Sequence, residues 1–130
     1  MKLQALLAEL QKDFELPRPF DQEGADVWSI PIDEGLKIYA AEKAGVLELS
    51  STFMEAPVGK EEELYLNLLN ANLLGQGTLG AWLSLSDEGR RLTLTRVIDY
   101  DVSFKEFRDI LEDFINSIDF WREEALNYQQ

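Results

Sequence analysis

The sequence predicts an α+β domain in the element order α-β-β-β-α-β-β-α, an antiparallel sheet backed by helices and assembled as a dimer. Three observations predict it. Stretches of strict apolar/polar alternation lie between stretches of helical period. Short turns built from Gly, Asp and Glu join the alternating stretches into hairpins. The segment at residues 61–74 carries leucines on two opposed sides, so it must be covered twice.

The first helix is read from Leu3, Leu6, Leu7, Leu10 and Phe14, which recur at helical spacing between polar residues. It ends before Pro17 and Pro19, whose rings cannot continue a helix. Its narrow stripe can rest on the protein's own sheet or meet a partner. After the loop around Phe20, Trp28, Ile30 and Ile32 alternate with Val27, Ser29 and Pro31. Pro31 has no N–H, so this strand is expected at an edge or to end there. A turn at Asp33, Glu34 and Gly35 leads into residues 36–41, with Leu36, Ile38 and Ala40 inward. Lys43, Ala44 and Gly45 turn the chain again. Residues 46–53 then place Leu47, Leu49, Ser51 and Phe53 on one face and Glu48, Ser50 and Thr52 on the other.

In the middle helix the acidic triplet Glu61, Glu62 and Glu63 suits the positive end of the macrodipole, and Gly75 and Gly77 suit the exit. At about 100° per residue, Leu66, Leu69 and Leu73 group on one side, while Leu64, Leu68 and Ala71 group nearly opposite. Asn67 and Asn70 mark a seam. Leaving three leucines in water would forfeit about 5–9 kcal/mol, comparable with the stability of a whole domain. One face can lie on the sheet. The other needs a second helix or a second molecule, and a chain with few helices favours the second molecule.

The hairpin that follows alternates Leu79, Ala81, Leu83 and Leu85 with Gly80, Trp82, Ser84 and Ser86, turns at Asp87, Glu88 and Gly89, and returns through Leu92, Leu94 and Ile98. Arg96 falls on the apolar face of the return strand and is expected near an edge or paired with a carboxylate. Ser103 and Glu106 then form a capping box. Phe104, Phe107, Ile110, Leu111, Phe114, Ile118 and Trp121 give the last helix its stripe.

At 130 residues the chain is read as a single domain, residues 1–130, without an internal repeat or a linker long enough to divide it. No apolar run approaches the roughly 20 residues of a membrane span. The first residues are amphipathic and carry Glu9 and Asp13, unlike a secretory leader, so a cytoplasmic location is expected. The absence of both His and Cys removes Ser-His-Asp and Cys-His catalysis, disulfides and the usual zinc sites. With 12 basic against 25 acidic residues the net charge is −13, which opposes nucleic acid and anionic membranes. It suits a soluble protein that covers an aggregation-prone partner.

Carboxylates are the catalytic groups this composition readily offers. Asp99, Asp101 and Ser103 resemble the start of a calcium loop, yet Phe104 stands where a glycine is needed and Ile110 where the bidentate glutamate belongs. Gly75, Gly77 and Gly80 follow a helix and precede a strand, the reverse of a phosphate-binding loop. The expectation is a protein that is not an enzyme and needs no cofactor, metal or nucleotide. A carboxylate-dependent enzyme is the alternative of another class.

The segment LNLLNANLLGQG, followed by GAWLSLSDEGRRLTLTRVIDY and a capped helix, resembles the class I type III secretion chaperones of the Tir-chaperone family, and in element order the likeness spans nearly the entire chain. The resemblance implies a small acidic dimer of the bacterial cytoplasm. It would hold the N-terminal chaperone-binding segment of a secreted effector in extended form, without ATP, and present it to the secretion apparatus. The family's use of its second helix as dimer interface agrees with the two-faced leucine helix. Leu66, Leu69, Leu73 and Trp82 are the expected interface residues, in a homodimer or a heterodimer with a related chaperone. Strand addition and apolar capture would bind the effector, with Leu3, Leu6, Leu7, Leu10, Phe20, Trp28 and Ile30 as the expected contacts. A dimeric adaptor of the same fold that binds folded proteins is a further alternative.

Overall fold

Six antiparallel strands in the order β1-β2-β3-β4-β6-β5 form one sheet in the computed structural model, which describes residues 2–33, 35–55, 63, 66, 67, 70, 80–86 and 91–126. In chain order the elements are α1 (Lys2–Asp13), β1 (Asp21–Gly24), β2 (Val27–Asp33), β3 (Leu36–Lys43), β4 (Val46–Glu55), β5 (Trp82–Ser86), β6 (Arg91–Asp99) and α2 (Phe104–Leu126). Glu63, Leu66, Asn67 and Asn70, the described residues of the expected middle helix, are helical. Both α1 and α2 pack on one face of the sheet and touch each other.

Alternation decides which face that is. Leu36, Ile38 and Ala40 of β3, Leu47, Leu49 and Phe53 of β4, Leu83 of β5, and Leu92, Leu94 and Ile98 of β6 are buried under the helices. They are the residues the period-two pattern turns inward. From α1 come Leu3, Leu6, Leu7 and Leu10; from α2 come Phe107, Leu111, Phe114, Ile118 and Trp121.

Local chemistry fixes the helix ends. Glu106 N–H donates to Ser103 Oγ at 3.2 Å and Ser103 N–H donates to Glu106 Oε1 at 3.3 Å, the reciprocal pair of a capping box. Val102 before the cap and Phe107 one turn in are both buried, the two positions of a hydrophobic staple. Ser103→Ala is expected to cost about 1 kcal/mol, read as a lower urea midpoint at unchanged slope; a variant as stable as wild type would show the cap to be idle. At the other helix, Leu3 N–H donates to Glu42 Oε1 at 2.9 Å, so a carboxylate from β3 serves the first turn of α1, which has no acid of its own.

The exit of α1 is a Schellman turn. Leu16 N–H donates to Gln11 O, Glu15 N–H to Lys12 O, and Glu15 sits at φ 53°. That turn carries Phe14 away from the leucine stripe it was expected to extend, and it is exposed. Between β3 and β4, Ala44 and Gly45 both have positive φ, as a two-residue hairpin turn of the primed kind requires.

Three expectations need correction. Among the described residues there are six strands rather than five, because β1 pairs with β2 through Asp21 with Ser29, Gln22 with Trp28 and Gly24 with Val27. β2 is therefore not an edge strand, although β1 stops short of Pro31, where the missing N–H costs nothing. Arg96 lies on β6 opposite Leu49 of β4, one residue beyond the last β5 pair of Trp82 with Thr95, and no described carboxylate pairs with it. Its guanidinium occupies the space beside Gly80, at φ 91°, where a Cβ would overlap it.

Candidate protein-binding surfaces

The sheet face away from the helices is the first surface. Register aligns Ser29, Tyr39, Ser50, Thr95 and Trp82 in one row across five strands. A second row runs Val27, Ala41, Glu48 and Val97. Thr52 and Thr93 share a hydrogen bond at 3.0 Å in the polar row beyond. Within this largely polar face Trp82, Tyr39 and Val97 are each about two-fifths exposed, at 42%, 41% and 41%. Leu66 on the middle helix is 63% exposed. Full burial of a leucine is worth about 1.5–3 kcal/mol, and Trp82 keeps much of a large ring in water, so both suit contact with another molecule.

Of the expected interface residues, Leu66 and Trp82 are thus solvent-facing in the single chain. Leu69 and Leu73 lie outside the described residues, as do Leu64 and Leu68 of the opposite face. Trp82 is exposed because its neighbours Ala81 and Leu83 point into the core, as the alternation of the hairpin requires.

The second surface is the β1 end of the sheet. Leu16, Pro17, Arg18, Pro19, Phe20, Asp21, Gln22 and Pro31 line an open groove of about 460 Å³. All four residues of β1 are exposed. Glu23 Oε1 accepts a hydrogen bond from Ser29 Oγ at 2.8 Å and lies 3.9 Å from Lys37 Nζ, tying β1 to β2 and β3.

The expected client contacts lie mostly in the core. Leu3, Leu6, Leu7, Leu10, Trp28 and Ile30 are all under a tenth exposed and belong to the core, so none of them offers a face in this conformation. The cause is simple: the stripe of α1 is fully used against β3 and α2. Phe20 alone among them is half-buried, at the groove. Exposed apolar side chains at this end are Phe14 and Leu16, which follow the helix rather than belong to it. No signal in the sequence marked β1 or the groove, since Asp21, Gln22, Glu23 and Gly24 have neither alternation nor strand-forming side chains.

Among the described residues no cluster of three or more acidic side chains could hold a metal ion, and no helix is long and apolar enough to cross a membrane.

A model of the Tir chaperone protein (CesT) family matches residues 5–122. A Chlamydia pneumoniae protein is 31% identical over 103 residues, covering 78% of this chain and 77% of that protein. Among solved structures, a chain of the HopA1–SchA chaperone–effector complex is similar at a TM-score of 0.72 and 17% identity, over 94% of each chain. A chain of the ExsC–ExsE complex is similar at a TM-score of 0.73 and 21% identity, over 95% of this chain and 93% of that one. At these identities the two structures speak to the fold.

Proposed function

Because the chain belongs to the Tir chaperone protein family, we propose that it is a type III secretion chaperone, binding the N-terminal segment of a secreted effector and keeping it soluble and competent for export. The observation that carries this is the family match across residues 5–122. Support comes from the two solved complexes of the same fold, one of them a chaperone with its effector. The exposed Leu66 and Trp82 support a dimer; Leu69 and Leu73, which helical spacing puts on the side of Leu66, belong to the proposed interface.

Such a protein works by equilibrium binding alone. An unfolded client loses ordering entropy when captured, so a long recognition surface is needed, combining backbone hydrogen bonds with apolar contacts. A dimer doubles that surface. Neither ATP nor a metal enters the scheme, the location is the bacterial cytoplasm, and the strongly acidic surface keeps the complex dissolved.

Co-expression tests the reading. The N-terminal segment of a secreted protein encoded beside this chain should co-purify with it at fixed stoichiometry, in buffer without nucleotide. It should precipitate when expressed alone. Capture that requires ATP, or capture only of folded proteins, would overturn the proposal and favour an adaptor.

A further inference from the structure

Arg96 is a cation that no described carboxylate meets. Its neighbours on the helix-covered side of β6 are Leu94 and Ile98, and Leu49 stands opposite it on β4. Its Nε is enclosed without an acceptor, although the residue as a whole is only half-buried. An arginine keeps its proton at any ordinary pH, and an enclosed N–H without a partner destabilises the fold. Gly80 makes room for the guanidinium, since a Cβ there would overlap Nη1 and a φ of 91° suits glycine. A leucine at this position would extend the apolar row of β6 without that cost. The guanidinium therefore suits a contact that the single chain does not contain.

Its place in the sheet points to the partner. β5 pairs with β6 only as far as Trp82 with Thr95, the residue before Arg96, so a molecule that covers the exposed Trp82 comes up against Arg96 and Gly80. On the middle helix Glu63 stands three residues before Leu66; both are exposed, and residues three apart share a helix face. The proposed dimer surfaces thus carry an acid beside Leu66 and a base beside Trp82. In a two-fold interface each copy gives the contact that it receives.

We propose that Arg96 takes the carboxylate of Glu63 from a second copy of this chain, twice per dimer, and that this pair decides which chain is accepted as the partner. This rests on the dimer reading and adds the charged contact that makes the dimer selective. A planar carboxylate matches the fork of a guanidinium. Each copy carries a net charge of −13, so a cation brought to the interface also offsets part of the repulsion between copies. A related chain without an acid at this point of its helix would leave the guanidinium unpaired and be refused.

Removing the charge from the full chain tests this. Arg96→Leu should raise the dimer dissociation constant about tenfold or more, read by analytical ultracentrifugation over a dilution series, because the pair is lost at both of its places. Its urea midpoint, taken at a dilution where the wild type is monomeric too, should stay level or rise, since leucine leaves no N–H unpaired. A lower midpoint with an unchanged dissociation constant would make Arg96 a structural residue of the fold and overturn the proposal. Glu63→Arg and Arg96→Glu should each weaken the dimer of their own kind. Mixed in equal parts they should form a heterodimer, in which both contacts are again between opposite charges, seen by native mass spectrometry with one chain tagged. A mixture that forms none, or a Glu63→Arg variant as tightly dimeric as wild type, would overturn the proposal equally. Arg96→Leu and Glu63→Arg decide the matter even where Arg96→Glu does not fold. A monomeric wild type removes the dimer and this contact together, whereas a dimeric wild type with unaffected variants removes the contact alone; effector capture in the co-expression test stands or falls separately.

Discussion

Phe107→Ala lowers the stability of the fold by about 3–5 kcal/mol, most of what a domain with 5–15 kcal/mol in hand possesses. Phe107 is fully buried at the first turn of α2, its N–H donating to Ser103 O at 2.9 Å. Truncation removes the ring from a core shared by both helices and the sheet, and it also breaks the staple with Val102 that sets the entry angle of α2. That core draws side chains from both helices and from the sheet, so the cavity cannot close by one local shift. Thermal unfolding followed by circular dichroism should show the midpoint falling by about 10 °C or more. A loss below 1 kcal/mol would mean that α2 does not pack on the sheet through this residue.

Leu66→Asp and Trp82→Asp are expected to separate the proposed dimer into folded monomers. In the single chain both side chains face solvent, so a carboxylate there costs the fold little. At a dimer interface the same carboxylate would be buried unpaired, at about 3–5 kcal/mol, and every 1.4 kcal/mol is tenfold in dissociation constant. Light scattering should therefore show a dimeric wild type and monomeric variants with unchanged circular dichroism. Leu94→Asp is the contrasting control, since Leu94 is fully buried on the helix-covered face and its replacement should prevent folding. A wild type that is monomeric at tens of micromolar, or variants that stay dimeric, would remove these residues from any interface.

Where local pattern and tertiary need agree, the fold was legible in the sequence. The alternation at Leu36, Ile38 and Ala40, and at Leu47, Leu49 and Phe53, named the buried face of β3 and β4 correctly. Ser103 with Glu106 named the start of α2, because a capping box is a contact between residues three apart. β1 was not legible, since it is held by the Glu23 carboxylate reaching Ser29 and Lys37 across two strands rather than by any pattern of its own. Glu42 at the start of α1 is a partner 39 residues away, equally silent in a local reading. The surfaces followed the same rule. An amphipathic stripe states that Leu3, Leu6, Leu7 and Leu10 must be covered and leaves open by what; the sheet and α2 cover them here. Trp82 alternates with Ala81 and Leu83, so the burial of those two leaves it on the other face of the sheet.

The strand order has a consequence for how the molecule forms. β1 to β4 pair with their sequence neighbours across short turns, so that meander can assemble from local contacts within the first part of the chain. β6 then lies between β4 and β5, and its pairing of Glu55 with Arg91 closes a long excursion. The entropy of closing such a loop must be met before its contacts contribute, which slows the step. During synthesis the inner face of the meander, with Ile38, Leu47 and Leu49, therefore waits under partial cover until β6 and α2 follow. A chain whose own apolar sheet is briefly open at birth gains from its net charge of −13: in the nascent state, like charge on neighbouring copies holds them apart until the last helix closes.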